Sequence, residues 1–219
     1  MNKLVILRPE PGLSASLARA KAAGLEAIAC PLMSVEPVDW SLPDLEAFDT
    51  LMFTSASAPA VAAEHRDALS ALRVIAVGEK TAAAAREAGF TVAIVGDGGV
   101  DDLLEKMADE ARILHLCGVN FRKPQAAQAI NHLPVYRAVP TGAEPPVDGG
   151  HVYMVHSPRL GALLGMAIPE ASRADKHVVA ISQMAGVAVG PGWASVTMAP
   201  RPQDEAMLPV AAKLCQATE

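Results

Sequence analysis

Short apolar runs alternate with Ala-rich amphipathic stretches along the whole chain. Runs of about four apolar residues bounded by turn residues read as strands buried on both faces, and the stretches between them as the covering helices. Strands are predicted at 4–7, 27–30, 50–54, 74–77, 92–95, 113–116, 152–155, 178–181 and 196–198. Helices are predicted near 13–23, 57–70, 79–88, 100–109, 123–131, 158–166, 183–189 and 204–216. Strand–helix alternation of this kind gives an α/β fold with parallel sheets and helices on both faces. Gly24 and Gly89 each follow a helical run and suit the left-handed position that ends a helix.

The pattern occurs twice. Phe53-Thr54-Ser55 is echoed by Val155-His156-Ser157, Val74 to Gly78 by Val178 to Ser182, Gly89-Phe90 by Gly192-Trp193, and Leu103-Leu104 by Met207-Leu208. The offsets are 102, 104, 103 and 104 residues. A period this long means duplicated domains, since solenoid units are far shorter. The first copy continues into Ile113 to Gly118 and Leu133 to Tyr136, elements for which the second copy has no room before Glu219. Residues 3–33 carry the missing strand–turn–helix–strand pattern. The expectation is a discontinuous domain of 1–31 plus 142–219, an inserted domain of 40–132, and linker segments 32–39 and 133–141 forming a two-segment β-ribbon. Both domains are expected to be doubly wound and flavodoxin- or Rossmann-like, and two crossings imply a cleft between them, a favoured place for a ligand.

Composition narrows the function. Hydrophobic residues make up 51% of 219 and aromatics only 4%, enough for two cores built from Ala, Val and Leu. A net charge of −6 argues against non-specific nucleic-acid binding, which rests on Lys and Arg neutralising phosphates. Cys30, Cys117 and Cys215 are isolated, with neither a zinc spacing nor a disulfide framework, and read as thiols of a reducing cytoplasm. The opening apolar run stops at Arg8, too short for the core of an export signal, and no segment approaches the roughly 20 apolar residues of a membrane span. The expectation is a cytoplasmic monomer with no membrane or nucleic-acid partner.

Ligands of open α/β sheets bind outside the carboxyl ends of the strands. Those ends carry Arg8, Ser55, Gly78 with Thr81, Gly118 with Arg122 and Lys123, and Ser157 with Arg159. Several open helices, whose N-termini bind anions through free N–H groups and a partial positive charge. Ser and Thr at such positions also serve as ordinary caps. Gly96-Asp97-Gly98-Gly99 lacks dinucleotide spacing and Gly78-Glu79-Lys80-Thr81 lacks the upstream glycine of a phosphate loop. The six histidines show no metal-ligand spacing, and neither Ser55 nor Ser157 sits in a nucleophile elbow. No metal or cofactor is therefore expected. His115 reads as a core residue, His156 as a residue at a strand end. Tyr136 lies in the returning connector, where a phenol can donate a proton or hydrogen bond.

Taken in order, Leu7-Arg8-Pro9, Pro31-Leu32, Phe53-Thr54-Ser55-Ala56, Ala76-Val77-Gly78 with Thr81-Ala82, Gly89-Phe90, Leu116-Cys117-Gly118, Val135-Tyr136, Ser157-Pro158, Ala180-Ile181, Gly192-Trp193-Ala194 and Met207-Leu208 resemble the uroporphyrinogen-III synthase family over nearly the whole chain. The resemblance implies a cofactor-free lyase of haem and tetrapyrrole biosynthesis. Its substrate would be hydroxymethylbilane, a linear tetrapyrrole bearing eight carboxylates. The terminal hydroxyl leaves as water, the last pyrrole ring inverts through a spiro-type intermediate, and the macrocycle closes. By the same resemblance Tyr136 assists loss of the hydroxyl, and Thr81, Ser55 and Ser157 match substrate-facing positions; with them Arg8, Ala56, Gly78, Gly118 and Ser182 are expected to bind substrate. Where many members carry Gly followed by Thr, this chain has Ser182-Gln183-Met184-Ala185. The alternative from a different class is a two-lobe small-anion binding protein without catalysis. Such receptors usually carry an export signal and more aromatic residues in their pockets.

Overall fold

The computed structural model describes residues 2–97 and 99–216. Gly98, within the glycine-rich stretch weighed above, lies outside them. The chain divides into two compact units, one running up to Ser34 and resuming at Val139, the other spanning Val35–Ala138. The first unit opens with β1 (Leu4–Ile6), α1 (Gly12–Ala22) and β2 (Ala27–Ala29), and β3 (Met33–Pro37) carries the chain across the boundary. The second contains β4 (Thr50–Phe53), α2 (Ala58–Ala62), α3 (Arg66–Leu69), β5 (Arg73–Ala76), α4 (Glu79–Glu87), β6 (Val92–Val95), α5 (Val100–Glu105) and β7 (Arg112–Gly118). The boundary falls again inside β8 (Ala129–Pro140). The first unit then adds β9 (Val152–Val155), α6 (Pro158–Ala167), β10 (His177–Ala180), α7 (Gln183–Ala188), β11 (Ser195–Met198) and α8 (Asp204–Gln216).

In the first unit the strand order is β11-β10-β9-β1-β2, all parallel. Counted along its own strands this is the flavodoxin-like order, with direction reversing between β1 and β9. In the second unit the order is β3-β8-β7-β4-β5-β6, and every pair from β8 to β6 is parallel. The chain leaves β4 toward β5 and leaves β7 toward β8, so direction reverses between β4 and β7. At such a switch point adjacent strand-to-helix loops diverge and leave a crevice at the carboxyl edge. Val38 donates its N–H to the Val135 carbonyl and Thr141 to the Leu32 carbonyl, the falling index of an antiparallel β3–β8 pair.

Period-two alternation builds both layers of each core. Leu51, Phe53, Val74, Leu114 and Leu116 face Ala58, Ala62, Leu69 and Ala85 of α2, α3 and α4. Met52, Ile75 and Ile113 point the other way, onto Leu103 and Leu104 of α5. In the first unit Leu4, Ile6, Val152, Met154 and Val179 pack on Leu13 and Ala20 of α1 and Met207, Leu208 and Ala211 of α8. Small residues let the helices approach closely, as the low aromatic content requires. A Cβ at Gly161 would lie 2.6 Å from the Ala185 carbonyl oxygen, and one at Gly165 2.7 Å from that of Val189.

Two expected helices differ. The stretch expected as one helix over 57–70 is broken into α2, a 3-10 turn at Ala63–His65, and α3. The helix expected near 123–131 is absent: β8 begins at Ala129 and ladders against β7 from Arg112↔Ala129 onward. Pro124 disfavours the helical region for Lys123, and the Gln125 N–H is taken by the Asp101 carboxylate instead of a helical carbonyl. The buried Gln128 side chain then donates to the Leu104 carbonyl, fixing the entry to β8.

Gly161→Ala is expected to force α6 and α7 apart against backbone atoms that have no rotamer to change. The loss should be about 1–3 kcal/mol, read as a lower urea midpoint with an unchanged slope; an unchanged midpoint would contradict the packing described.

Candidate active site

In the second unit the β4/β7 switch point holds Ser55 after β4 and Gly118 at the end of β7. Tyr136 lies directly opposite Gly118 on β8. That register follows from Pro134. Proline has no N–H for the ladder, and a bulge between Cys117 and Gly118 skips Val135, so Cys117 opposes Pro134 and Gly118 opposes Tyr136. Val119 then donates its N–H to the Tyr136 carbonyl at 2.8 Å. A Cβ at Gly118 would sit 2.8 Å from the phenol ring and 3.0 Å from its hydroxyl, so the missing side chain is the space the ring occupies. Burial raises the Tyr136 pKa; a hydrogen bond with the Ser55 side chain lowers it in part, and neighbouring Cys117 adds to the rise. The phenol is therefore a protonated donor at neutral pH. Ser55 Oγ also accepts from the Ser57 N–H at 3.2 Å, shaping the turn that contains Ala56.

A second hydrogen-bonded row lies beside the first. Thr54 Oγ1 is 2.8 Å from His115 Nε2, and His115 Nδ1 is 2.9 Å from His132 Nδ1. His115 is buried, and burial together with His132 lowers its pKa to about 4. Burial and nearby Lys123 lower that of His132. Phe121 meets both rings, 5.6 Å from His115 and 4.6 Å from His132. The imidazoles are neutral, and the row braces the end of β4 with no formal charge. One strand over, Gly78 opens α4 without a side-chain cap, and Thr81 is buried in its first turn.

In the first unit the β1/β9 switch point holds Arg8 after β1 and His156-Ser157 after β9. Ser157 Oγ accepts from the Leu160 N–H at 3.2 Å, and Ser182 Oγ, one strand over, from the Ala185 N–H at 3.3 Å. Both hydroxyls thus serve as caps of their own helices. His156 is buried against Asp204. Burial lowers its pKa, opposed by the hydrogen bond to Asp204. Asp204, Arg19 and Ser16 carry no motif and are not among the residues the sequence singles out. Asp204 opens the helix that ends the repeat, which is the one signal available for it. Tyr153 is core, with its hydroxyl donating to the Pro146 carbonyl. Arg122 pairs with Asp101 at 3.1 Å, and Arg159 is exposed. Among the described residues no group of three or more His, Cys, Asp or Glu is placed to hold a metal, and no helix is long and apolar enough to cross a membrane.

Residues 14–209 match the model of the family described as Uroporphyrinogen-III synthase HemD. Among solved structures, the uroporphyrinogen-III synthetase of Helicobacter pylori 26695 is 17% identical, with 98% of this chain and 100% of that one covered and a TM-score of 0.71. A mutant uroporphyrinogen III synthase of the extremely thermophilic bacterium Thermus thermophilus is 18% identical, with 99% and 100% covered and a TM-score of 0.51. These likenesses show the two-domain α/β fold. No curated protein matches the chain.

The buried imidazole of His115 sets a pH dependence. Below pH 6.5 the unfolded chain takes up a proton there that the folded chain refuses until about pH 4. The unfolded state binds more protons in that window, so stability falls as pH drops through it, by about 3 kcal/mol in all. Urea melts at pH 7 and pH 4.5 should show His115→Gln losing less stability than wild type on acidification. Equal losses would contradict a neutral, buried His115.

Proposed function

The chain belongs to the uroporphyrinogen-III synthase family, lyases of tetrapyrrole biosynthesis that convert hydroxymethylbilane to uroporphyrinogen III, and from that premise we propose how its residues divide the work. Tyr136 is the acid. Its phenol, kept protonated by burial and oriented by Ser55 and the bare Gly118, gives a proton to the leaving hydroxyl as the pyrrole nitrogen pushes electrons into the breaking C–O bond. Water departs, and the electron-poor terminal carbon is attacked by the substituted α-carbon of the last ring to give a spiro centre. The bond from that α-carbon to its original methylene then breaks, the freed methylene bonds to the ring's unsubstituted α-carbon, and the proton lost there returns to the Tyr136 phenolate as the macrocycle closes. The observation that carries this role is the Gly118–Tyr136 register at the switch point of the second unit.

Binding is assigned to the strand ends of both sheets. Arg8, Ser55, Ala56, Gly78, Thr81, Gly118, Ser157 and Ser182 take the substrate, the hydroxyls of Ser157 and Ser182 acting through the helix starts they cap. Because the free bilane closes readily without inversion, selectivity is a matter of holding the reacting atoms in place. Near-attack positioning of this kind lowers barriers by several kcal/mol, up to about 10. A chain of net charge −6 holds a polyanion through local donors, not through overall attraction. We place the enzyme as a cytoplasmic monomer that needs no cofactor, consistent with three buried free thiols.

Freshly made hydroxymethylbilane should be converted to isomer III by the wild-type chain, whereas a binding protein without catalysis would leave isomer I. Tyr136→Phe should lower turnover roughly 10- to 100-fold, reaching up to the lower bound of the range for general acid catalysis. Gly118→Ala should lower it in the same direction by displacing the ring. Turnover of Tyr136→Phe within about twofold of wild type would remove the phenol from the acid role.

A further inference from the structure

The first unit holds a buried ionic cluster that the chemistry above does not use. Asp204, at the start of α8, has a side chain only 1% exposed. Its Oδ1 lies 2.7 Å from His156 Nε2 and accepts from Ser16 Oγ at 2.8 Å, and its Oδ2 accepts from Arg19 at 2.9 Å. Burial alone would raise the carboxyl's pKa. The donors His156 and Ser16 and the charge of Arg8 instead hold it well below the usual carboxylate range, so it stays ionised. Arg19 is compensated a second time by Glu205 at 2.9 Å.

Arg8 is the exception. Its contacts to this cluster are long, 3.6 Å to Asp204 Oδ1 and 3.5 Å to Ser16 Oγ, and both use one terminal nitrogen. Three shorter donors already occupy Asp204. A guanidinium has five N–H donors in a planar fork suited to a carboxylate. That of Arg8 is 26% exposed, at the carboxyl end of β1, on the switch point. It lies folded over Gly12, where a Cβ would come within 2.2 Å of Nε and 2.4 Å of the second terminal nitrogen.

We infer that Asp204 is the positioning residue of an anion subsite at the β1/β9 switch point, locking His156, Ser16 and Arg19 so that Arg8, over Gly12, takes one carboxylate of the substrate. The inference rests on the family activity and on Arg8 as a binding residue. Arg8 makes the contact; Asp204 acts through it.

The test is a set of variants read in two ways. Arg8→Gln should raise KM for hydroxymethylbilane about tenfold, the size of one charge-assisted hydrogen bond, with kcat within about twofold. Asp204→Asn should raise KM in the same direction, and the double variant should be no worse than Arg8→Gln alone, because both remove one contact. If Asp204→Asn does not fold, Gly12→Ala supplies the test. It favours helix α1 and leaves Asp204 untouched but displaces the guanidinium, so KM should rise severalfold with no loss in the urea midpoint. Binding of uroporphyrin III, a stable octacarboxylate, to the same proteins by calorimetry should weaken in the same order. This second reading needs no turnover: a wild-type chain that fails to make isomer III would overturn the activity, while the affinities would still judge the subsite. Multiplying KM effects in the double variant, or uroporphyrin affinities unchanged in Arg8→Gln and Gly12→Ala, would overturn the inference.

Discussion

Parallel strand pairing is the constraint on which the rest depends. When neighbouring strands run the same way, every loop that leads from a strand into its helix leaves the sheet at one edge, and the helix N-termini gather there. In each unit the winding direction reverses once, between β1 and β9 or between β4 and β7, and the loops part at that point. Arg8 and His156 stand at the first reversal, Ser55 and Gly118 at the second. The repeated pattern thus places two equivalent switch points, and the residues standing at them differ in chemistry.

The two are electrostatic opposites. At the β4/β7 edge the hydrogen-bonded groups are neutral: a protonated phenol, two hydroxyls and two imidazoles that burial keeps uncharged. The groups that bear on the phenol are the Ser55 side chain and the Cys117 thiol, and burial outweighs the Ser55 hydrogen bond, so it stays protonated. At the β1/β9 edge the groups are ionic, with a buried carboxylate surrounded by donors and one cation only loosely engaged. Breaking such a buried cluster leaves an uncompensated charge, which is far more costly than losing an exposed pair.

Much of this was legible in the residues. Strands buried on both faces announce themselves as unbroken apolar runs, and Val92–Val95, Val152–Val155 and α8 lie where the pattern puts them. The lost helix near 123–131 shows the limit. Helix formers such as Ala126 and Ala127 favour a helix locally, but Pro124 and the pull of a seven-residue β7 ladder prevail. Tyr136 was identifiable as a phenol in the returning segment, but its ring packs against the second unit's core, and its seat on Gly118 depends on a bulge that only the Cys117↔Pro134 register reveals. Asp204 was invisible for a different reason: its partners are 188, 185 and 48 residues away in the chain, and no local spacing encodes such a contact.

The most direct measurement of substrate capture at the two reversals is a crystal structure of the chain with uroporphyrin III bound. The account predicts a ligand carboxylate within hydrogen-bond distance of the Arg8 guanidinium and the macrocycle beside the Tyr136 hydroxyl. A ligand seated away from the carboxyl ends of β1, β4, β7 and β9, with Arg8 and Tyr136 both untouched, would contradict it.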